Sequence, residues 1–282
     1  MKITDWTLPG ARNQPIFAST HTATTPRGIL VICHGFKGYK DYGFFPHLAH
    51  AAAQTGLTSH RFNFSHSGMT PQIETFERPD LFEQDTWATQ VEDLHRIIAY
   101  VGSQSEAPII LFGHSRGGIT CLLAAAQPTR PVAGIIVAAA PHEACHLDPD
   151  QQQLLRTAGR LPSPSARTGQ ILYVGRSWLD EIERDPAASD PVTAITKVGR
   201  PRLLIYGEKD PTVPLASMKT LQAAAPDSAT LLIPNASHTF NCPNPLPLDQ
   251  SPPPPTQALI DAAIAFALLC IKSGSQGQEV NR

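Results

Sequence analysis

The sequence predicts an α/β fold: a doubly wound, mostly parallel sheet with a small inserted lid. Three observations carry this. Short apolar runs without polar alternation suit strands covered on both faces. Helical patterns separate these runs, which implies right-handed crossovers between parallel neighbours. A polar, proline-containing stretch over 141–198 interrupts the rhythm once.

Taken in order, "KITDWTL" and "QPIFAST" read as an antiparallel hairpin at the sheet edge. The apolar runs at 28–33, 108–113, 132–140, 202–207 and 229–234 follow as core strands, with "TSHRFNF" at 58–64 as another strand candidate. Residues 84–102 put Trp87, Val91, Leu94, Ile98 and Val101 on one stripe, the spacing of a helix with one buried face. Further helices are expected over 116–126, 214–225 and 257–271. Within 141–198 we expect a hairpin around Thr168-Gly169, then a short helix starting at Ser177, with Ser177 and Asp180 spaced as a capping box. The prolines of 241–255 forbid regular structure there. The expected organisation is a core domain of 1–140 and 199–272, a lid of 141–198 and a disordered tail of 273–282.

Composition narrows the function classes. At 282 residues the chain is long enough to bury a large core without staples. A net charge of −2 with no Lys or Arg run argues against nucleic acid and anionic membrane. Five scattered cysteines argue against a disulfide framework, and three lie inside apolar runs. The N-terminus has no signal-peptide h-region, and "ALIDAAIAFALLC" reads as too short for a membrane span and carries Asp261. These features make a reduced, cytoplasmic protein the expectation, with oligomeric state open.

The chemistry is expected at "GHSRGG", residues 113–118. It follows an apolar strand and opens an Ala/Leu-rich helix, the context of a nucleophile elbow at Ser115. Gly113 and Gly117 supply clearance for the sharp turn. The bland alternative is a glycine-rich turn with an incidental serine. A serine hydroxyl needs a base. "GEKDPTVP" puts Asp210 past the end of one strand, and "IPNASHTF" puts His238 past the next. His238 is then the expected base and Asp210 its orienting acid, with Asp148 and Asp150 as rival acids. The backbone N–H groups of Phe36, in "CHGF", and of Arg116 are the expected oxyanion donors. His34, Gly35, His114, Tyr39, Phe240 and His142 are the candidate pocket residues, with His34 expected to brace its loop.

Together, "HGF", "RFNFSHSG", "GHSRGG", "GEKDPTVP" and "SHTF" resemble the α/β-hydrolase superfamily. Within it the chain looks like bacterial serine esterases of the feruloyl/cinnamoyl-esterase-like and dienelactone-hydrolase-like group. The resemblance implies hydrolysis of carboxylic esters through an acyl-enzyme, with the roles given above for Ser115, Asp210, His238, Phe36 and Arg116. Relatives usually carry Asp at the position of Asn63, which shapes a loop.

One competing motif is "HEACH", His142 to His146, which matches the zinc signature His-Glu-x-x-His. That signature needs a helix, and Pro141 and "LDPD" flank it closely, with no obvious third ligand downstream. A polar turn at the lid entrance is expected instead, with no metal and no cofactor. The expected partner is a small-molecule ester of a small to medium acyl or aryl group. A thioesterase, an amidase or peptidase with the same triad, and a non-catalytic binding protein are the alternatives.

Overall fold

The computed structural model describes the backbone of residues 2–279 and side chains as far as Lys272. Ten strands and ten α-helices alternate along it. The strands are β1 (Lys2–Pro9), β2 (Pro15–Thr22), β3 (Gly28–Cys33), β4 (Leu57–Asn63), β5 (Ile109–His114), β6 (Gly134–Ala138), β7 (Arg160–Pro164), β8 (Ile171–Gly175), β9 (Arg202–Gly207) and β10 (Ala229–Ile233). The helices are α1 (Phe45–Gln54), α2 (Pro79–Glu83), α3 (Trp87–Gln104), α4 (Arg116–Ala126), α5 (Pro149–Ala158), α6 (Arg176–Arg184), α7 (Pro186–Ser189), α8 (Pro191–Lys197), α9 (Leu215–Ala224) and α10 (Pro254–Glu279).

Eight strands form one sheet in the order β1-β2-β4-β3-β5-β6-β9-β10. The first hairpin is antiparallel at the edge, and β4 onward run parallel. The central strands β3, β5, β6 and β9 are buried along their whole length, which is why their sequences show no polar alternation. Two apolar layers flank the sheet. One joins Leu94, Ile98 and Val101 of α3 and Leu122 of α4 to Val31, Leu111 and Val137. The other packs Leu48 of α1 and Leu259, Ala263 and Ala267 of α10 on Leu30, Phe112 and Ile136. Each fully buried Leu or Ile of this kind contributes roughly 1.5–3 kcal/mol.

The start of α3 is sharper than the apolar stripe alone implies. Thr86 accepts from the Thr89 N–H and the Thr89 hydroxyl accepts from the Thr86 N–H, a reciprocal cap. At the other end of the chain, α10 is longer than the predicted 257–271. Its 254–272 segment is apolar and long enough to cross a bilayer, longer than the run "ALIDAAIAFALLC" that the sequence marks. Its Leu259, Ile260, Ala263, Ile264, Ala267 and Cys270 face is nevertheless buried in the second layer. The backbone of 273–279 continues the helix, where a disordered tail was expected; the rest of that tail, 280–282, lies outside the described residues.

Between β6 and β9 lie α5, the two-stranded β7–β8 hairpin, and α6 to α8. The helix α5 was not predicted; Asp148 caps it by accepting from Gln151 N–H at 2.8 Å, with Gln151 reciprocating. Ser177 is not a cap: α6 begins at Arg176 after Gly175, with no side-chain hydrogen bond at its N-cap. The indole of Trp178 and Leu179 are buried by α6, and α8 packs Ala194 and Ile195 into the layer of α4. So α8 is a core helix, although it falls inside the predicted insertion. The hairpin turn is tied down by Gln170, whose side chain accepts from Phe76 N–H (2.8 Å) and donates to Phe76 O (3.1 Å).

Candidate active site

Parallel register brings the C-terminal ends of four strands side by side. Cys33 of β3 sits opposite Gly113 of β5, and His114 opposite Ala138 of β6. Ser115 follows β5 directly, with φ 54° and ψ −125°, left-handed geometry that a non-glycine residue adopts only under surrounding constraint. The constraint is visible. Ser115 N–H donates to Ala138 O (2.8 Å), and Gly118 N–H donates to Ser115 O (2.9 Å). A Cβ on Gly113 would lie 2.3 Å from Gly117 O, and one on Gly117 would lie 2.5 Å from the carbonyl oxygens of Cys33 and His34. The turn therefore closes only with glycine at both places.

The loops after β9 and β10 bring the other two groups. Asp210 Oδ1 accepts from Thr212 N–H (2.7 Å) and Val213 N–H (2.9 Å), which leaves Oδ2 for His238 Nδ1 at 2.8 Å. His238 Nε2 lies 3.1 Å from Ser115 Oγ. Burial alone would raise the Asp210 carboxyl; the bond from His238 and the two backbone donors outweigh it and hold the carboxyl below its ordinary range. The structure thus brings Ser115, His238 and Asp210 into one hydrogen-bonded chain, 123 and 28 residues apart in sequence. The rival acids stand elsewhere: Asp148 caps α5, and Asp150 is exposed in its first turn.

Ser115 and His238 open into a cleft of about 210 Å³, also lined by Gly35, Phe36 and His114. The Phe36 N–H lies in the loop after β3. Arg116 is the first residue of α4, where an N–H has no intrahelical acceptor. The Arg116 side chain turns away into the core, paired with Asp85 at 3.1 Å and packed against Trp87 (4.6 Å) and Phe36 (5.6 Å). A larger cleft of about 680 Å³ lies between α3 and residues 181–189 and shares no lining residue with the first.

Of the six predicted pocket residues, Gly35 and His114 line the cleft and four stand behind or beside it. His34 is buried; its Nδ1–H donates to Gly35 O (2.8 Å) and its Nε2 accepts from Phe64 N–H (3.2 Å), so it braces the loop. Burial holds its pKa down to about 4, which keeps it neutral. Tyr39 is buried with Met69 and Phe76, its hydroxyl donating to Asn244 Oδ1 (3.2 Å). Phe240 is fully buried and packs on Phe44 and His114. His142 faces α9, within 3.0 Å of Ser217 Oγ. The cleft walls that the sequence did not mark are Tyr42, Phe45, Thr239, Lys37 and the hairpin turn Ser165–Arg167. Lys37 adjoins Phe36 and was within reach of motif reasoning; Arg167 arrives only through the tertiary seat of the hairpin.

Residues 142–146 form no helix, so the two imidazoles of "HEACH" do not share a helical face. His146 instead packs beside Trp178, 6.1 Å away. Among the described residues no cluster of three His, Cys, Asp or Glu is arranged to hold a metal. Asn63 shapes its loop as expected: Oδ1 accepts from Lys40 N–H (2.7 Å) and Nδ2 donates to Thr70 O (3.2 Å).

The profile of the Alpha/beta hydrolase family matches residues 30–251. The chain belongs to this family. No curated protein matches the sequence. Among solved structures, the hydrolase fold is shared with an esterase domain from Rhodothermus marinus, at 21% identity and TM-score 0.65, covering 95% of this chain and 98% of that one. It is shared with Est1E from Butyrivibrio proteoclasticus bound to ferulic acid, at 16% identity and TM-score 0.72, covering 94% and 98%. It is also shared with a puromycin-hydrolyzing peptidase from Mycobacterium tuberculosis, at 18% identity and TM-score 0.67, covering 96% of this chain and 39% of that one. At such identities the likeness speaks to the hydrolase fold, and substrate must be argued from the site.

Proposed function

We propose that this hydrolase cleaves carboxylic esters of small to medium acyl or aryl groups through an acyl-enzyme on Ser115. The observation that carries the reading is the chain Asp210 Oδ2, His238 Nδ1, His238 Nε2, Ser115 Oγ, with contacts of 2.8 and 3.1 Å. Bonding to Asp210 puts the proton of neutral His238 on Nδ1, so Nε2 carries the lone pair that faces the hydroxyl. Ser115 Oγ attacks the ester carbonyl as its proton passes to Nε2. The resulting oxyanion accepts from the N–H groups of Phe36 and Arg116, since donors fixed in place before the reaction need no reorganisation as charge develops. The protonated imidazole returns its proton to the departing alkoxide, and the alcohol leaves. Water then repeats the sequence on the acyl-enzyme and releases the acid. No step calls for a cofactor.

A cleft of about 210 Å³ suits a small substrate and supports the modest acyl size. Thioesters and amides pass through the same intermediates, so the choice among them is made by leaving group and fit. The test is hydrolysis of p-nitrophenyl acetate and butyrate by the wild type and by Ser115→Ala, with labelling by a fluorophosphonate. Turnover and labelling by the wild type alone are expected. Equal activity in both proteins, or label on a residue other than Ser115, defeats the proposal.

A further inference from the structure

We propose that the cleft selects esters bearing an anionic group, a carboxylate above all, held by Lys37 and Arg167. This rests on the serine-esterase reading and adds the substrate class to it.

The argument begins with charge. Lys37 and Arg167 line the same cleft as Ser115 and His238, and no carboxylate side chain lines it with them. Asp210 lies behind the imidazole with both oxygens engaged. Elsewhere the fold pairs its enclosed cations: Lys40 and Arg61 with Asp41, Arg116 with Asp85. Neither Lys37 nor Arg167 has a carboxylate within ion-pair distance among the described residues, although both are half-buried. Two unpaired cations beside one nucleophile are costly to an empty protein and complementary to an anionic ligand.

Donor counting gives the same result. An ammonium has three N–H donors and a guanidinium five. Lys37 Nζ donates to Pro164 O at 2.7 Å, and Arg167 uses two nitrogens, toward Ile73 O and Met69 Sδ. Donors remain on both. The two heads are also held in place. The Arg167 guanidinium lies over Tyr39 (4.8 Å) and Phe76 (5.0 Å), and Lys37 Nζ lies 5.3 Å from the Phe36 ring centre. Side chains ordered before binding lose little entropy on taking a ligand. Burial also lowers the Lys37 pKa, a shift that an arriving carboxylate would reverse. Lys37 stands on the oxyanion loop and Arg167 on the hairpin turn, so the anion would sit where the lid meets the core.

The test compares charge at fixed size. Mono-p-nitrophenyl adipate against p-nitrophenyl hexanoate places the carboxylate on the acyl side. 4-Carboxyphenyl butyrate against phenyl butyrate places it on the alcohol side. For one of these pairs the wild type should favour the anionic ester by about tenfold or more in kcat/KM, the scale of a charged hydrogen bond. That ratio should shrink with added salt and fall by about tenfold in Arg167→Gln and in Lys37→Gln. No anionic preference in either pair, or a preference unchanged in both variants, overturns the proposal. Hydrolysis of the neutral esters by the wild type but not by Ser115→Ala sustains the serine reading whichever way the charge comparison falls. Calorimetry on Ser115→Ala with monomethyl adipate and methyl hexanoate reads the preference without turnover. Equal binding of the two overturns the proposal there as well.

Discussion

His114 Nε2–H donates to the main-chain oxygen of His238 at 2.8 Å, so the residue before Ser115 holds the backbone at His238. The two rings lie 4.9 Å apart, with Phe44 and Phe240 packed on His114. Burial first, and His238 second, push the His114 pKa down to about 3, so it remains a neutral donor. His114→Phe keeps the volume and removes the donor. A base displaced by a fraction of an ångström loses its alignment with the serine, so kcat should fall about 10- to 100-fold with KM little changed. His114→Gln, which restores an N–H donor, should recover part of the loss. Steady-state kinetics of both variants on p-nitrophenyl butyrate decide it; an unchanged kcat in His114→Phe removes the positioning role.

Acid should unfold this protein well before its carboxylates are all protonated. Burial lowers six imidazoles, five of them far: His21 and His114 to about 3, and His34, His60 and His66 to about 4, with His146 lowered as well. The unfolded chain takes up these protons near pH 6.5 and the folded chain does not, so stability is lost as pH falls below 6.5. At pH 5 each of the five contributes a loss of up to about 2 kcal/mol, or roughly 10 kcal/mol together. Asp93 acts in the opposite sense. Burial raises its carboxyl to about 7 despite bonds from Ala11 and Ser65 N–H groups, so the folded state gains roughly 2 kcal/mol as pH falls from 7 to 5. The difference rivals the 5–15 kcal/mol typical of a whole domain. Circular dichroism against pH should show a cooperative transition between about pH 4 and 5.5. A native spectrum at pH 3.5 contradicts the burial of these rings as neutral species.

Gly117→Ala should cost more than the ordinary penalty for a helix glycine. Alanine normally stabilises a helix by roughly 1 kcal/mol relative to glycine. Here its methyl would meet two backbone carbonyl oxygens at 2.5 Å, and backbone cannot move aside as a side-chain tip does. We expect a loss of about 3 kcal/mol or more, or no soluble protein. Gly159→Ala provides the contrast: that position is strained by φ 77° but meets nothing within 4 Å, so its loss should be near 1 kcal/mol. Thermal denaturation of the pair reads the difference; equal losses would show that the two carbonyl contacts at position 117 cost no more than the left-handed strain at position 159.

What was legible in the sequence followed from local rules. Continuous apolar runs marked β3, β5, β6 and β9 because both faces are covered. The elbow was legible because its glycines are demanded by backbone contact. Asp210 and His238 were legible because each follows a strand end, where a parallel sheet gathers its loops. The cleft walls were not. Tyr39 and Phe240 look like pocket aromatics beside their motifs, yet both are sealed in apolar clusters, and Tyr42 and Thr239 next in line face the cleft. Which neighbour points inward depends on loop dihedrals, such as the positive φ of Lys37 and Phe240, that no periodicity encodes. The helix α5 was hidden in the same way: its burial rests on Leu155 alone, too little for an apolar stripe.

Asp210→Asn should keep the fold and remove most of the activity. Asp210 Oδ1 holds the Thr212 and Val213 N–H groups, and an amide oxygen can do the same. Its NH₂ would then face His238 Nδ1 in place of Oδ2. Two donors cannot share one contact, so the neutral imidazole must move its proton to Nε2. That nitrogen faces Ser115 Oγ at 3.1 Å and, once protonated, has no lone pair to receive the serine proton. On the proposed mechanism the depressed Asp210 carboxyl would also hold the imidazolium formed during attack, and a neutral amide offers no such charge. A fall in kcat of about 10³–10⁴ is expected, with KM and melting temperature close to wild type because the turn bonds survive. Kinetics and thermal melts on one preparation separate the two effects. A variant within tenfold of wild-type kcat would mean that His238 is oriented by something other than Asp210, and its 2.8 Å contact with that carboxylate would be incidental to the chemistry.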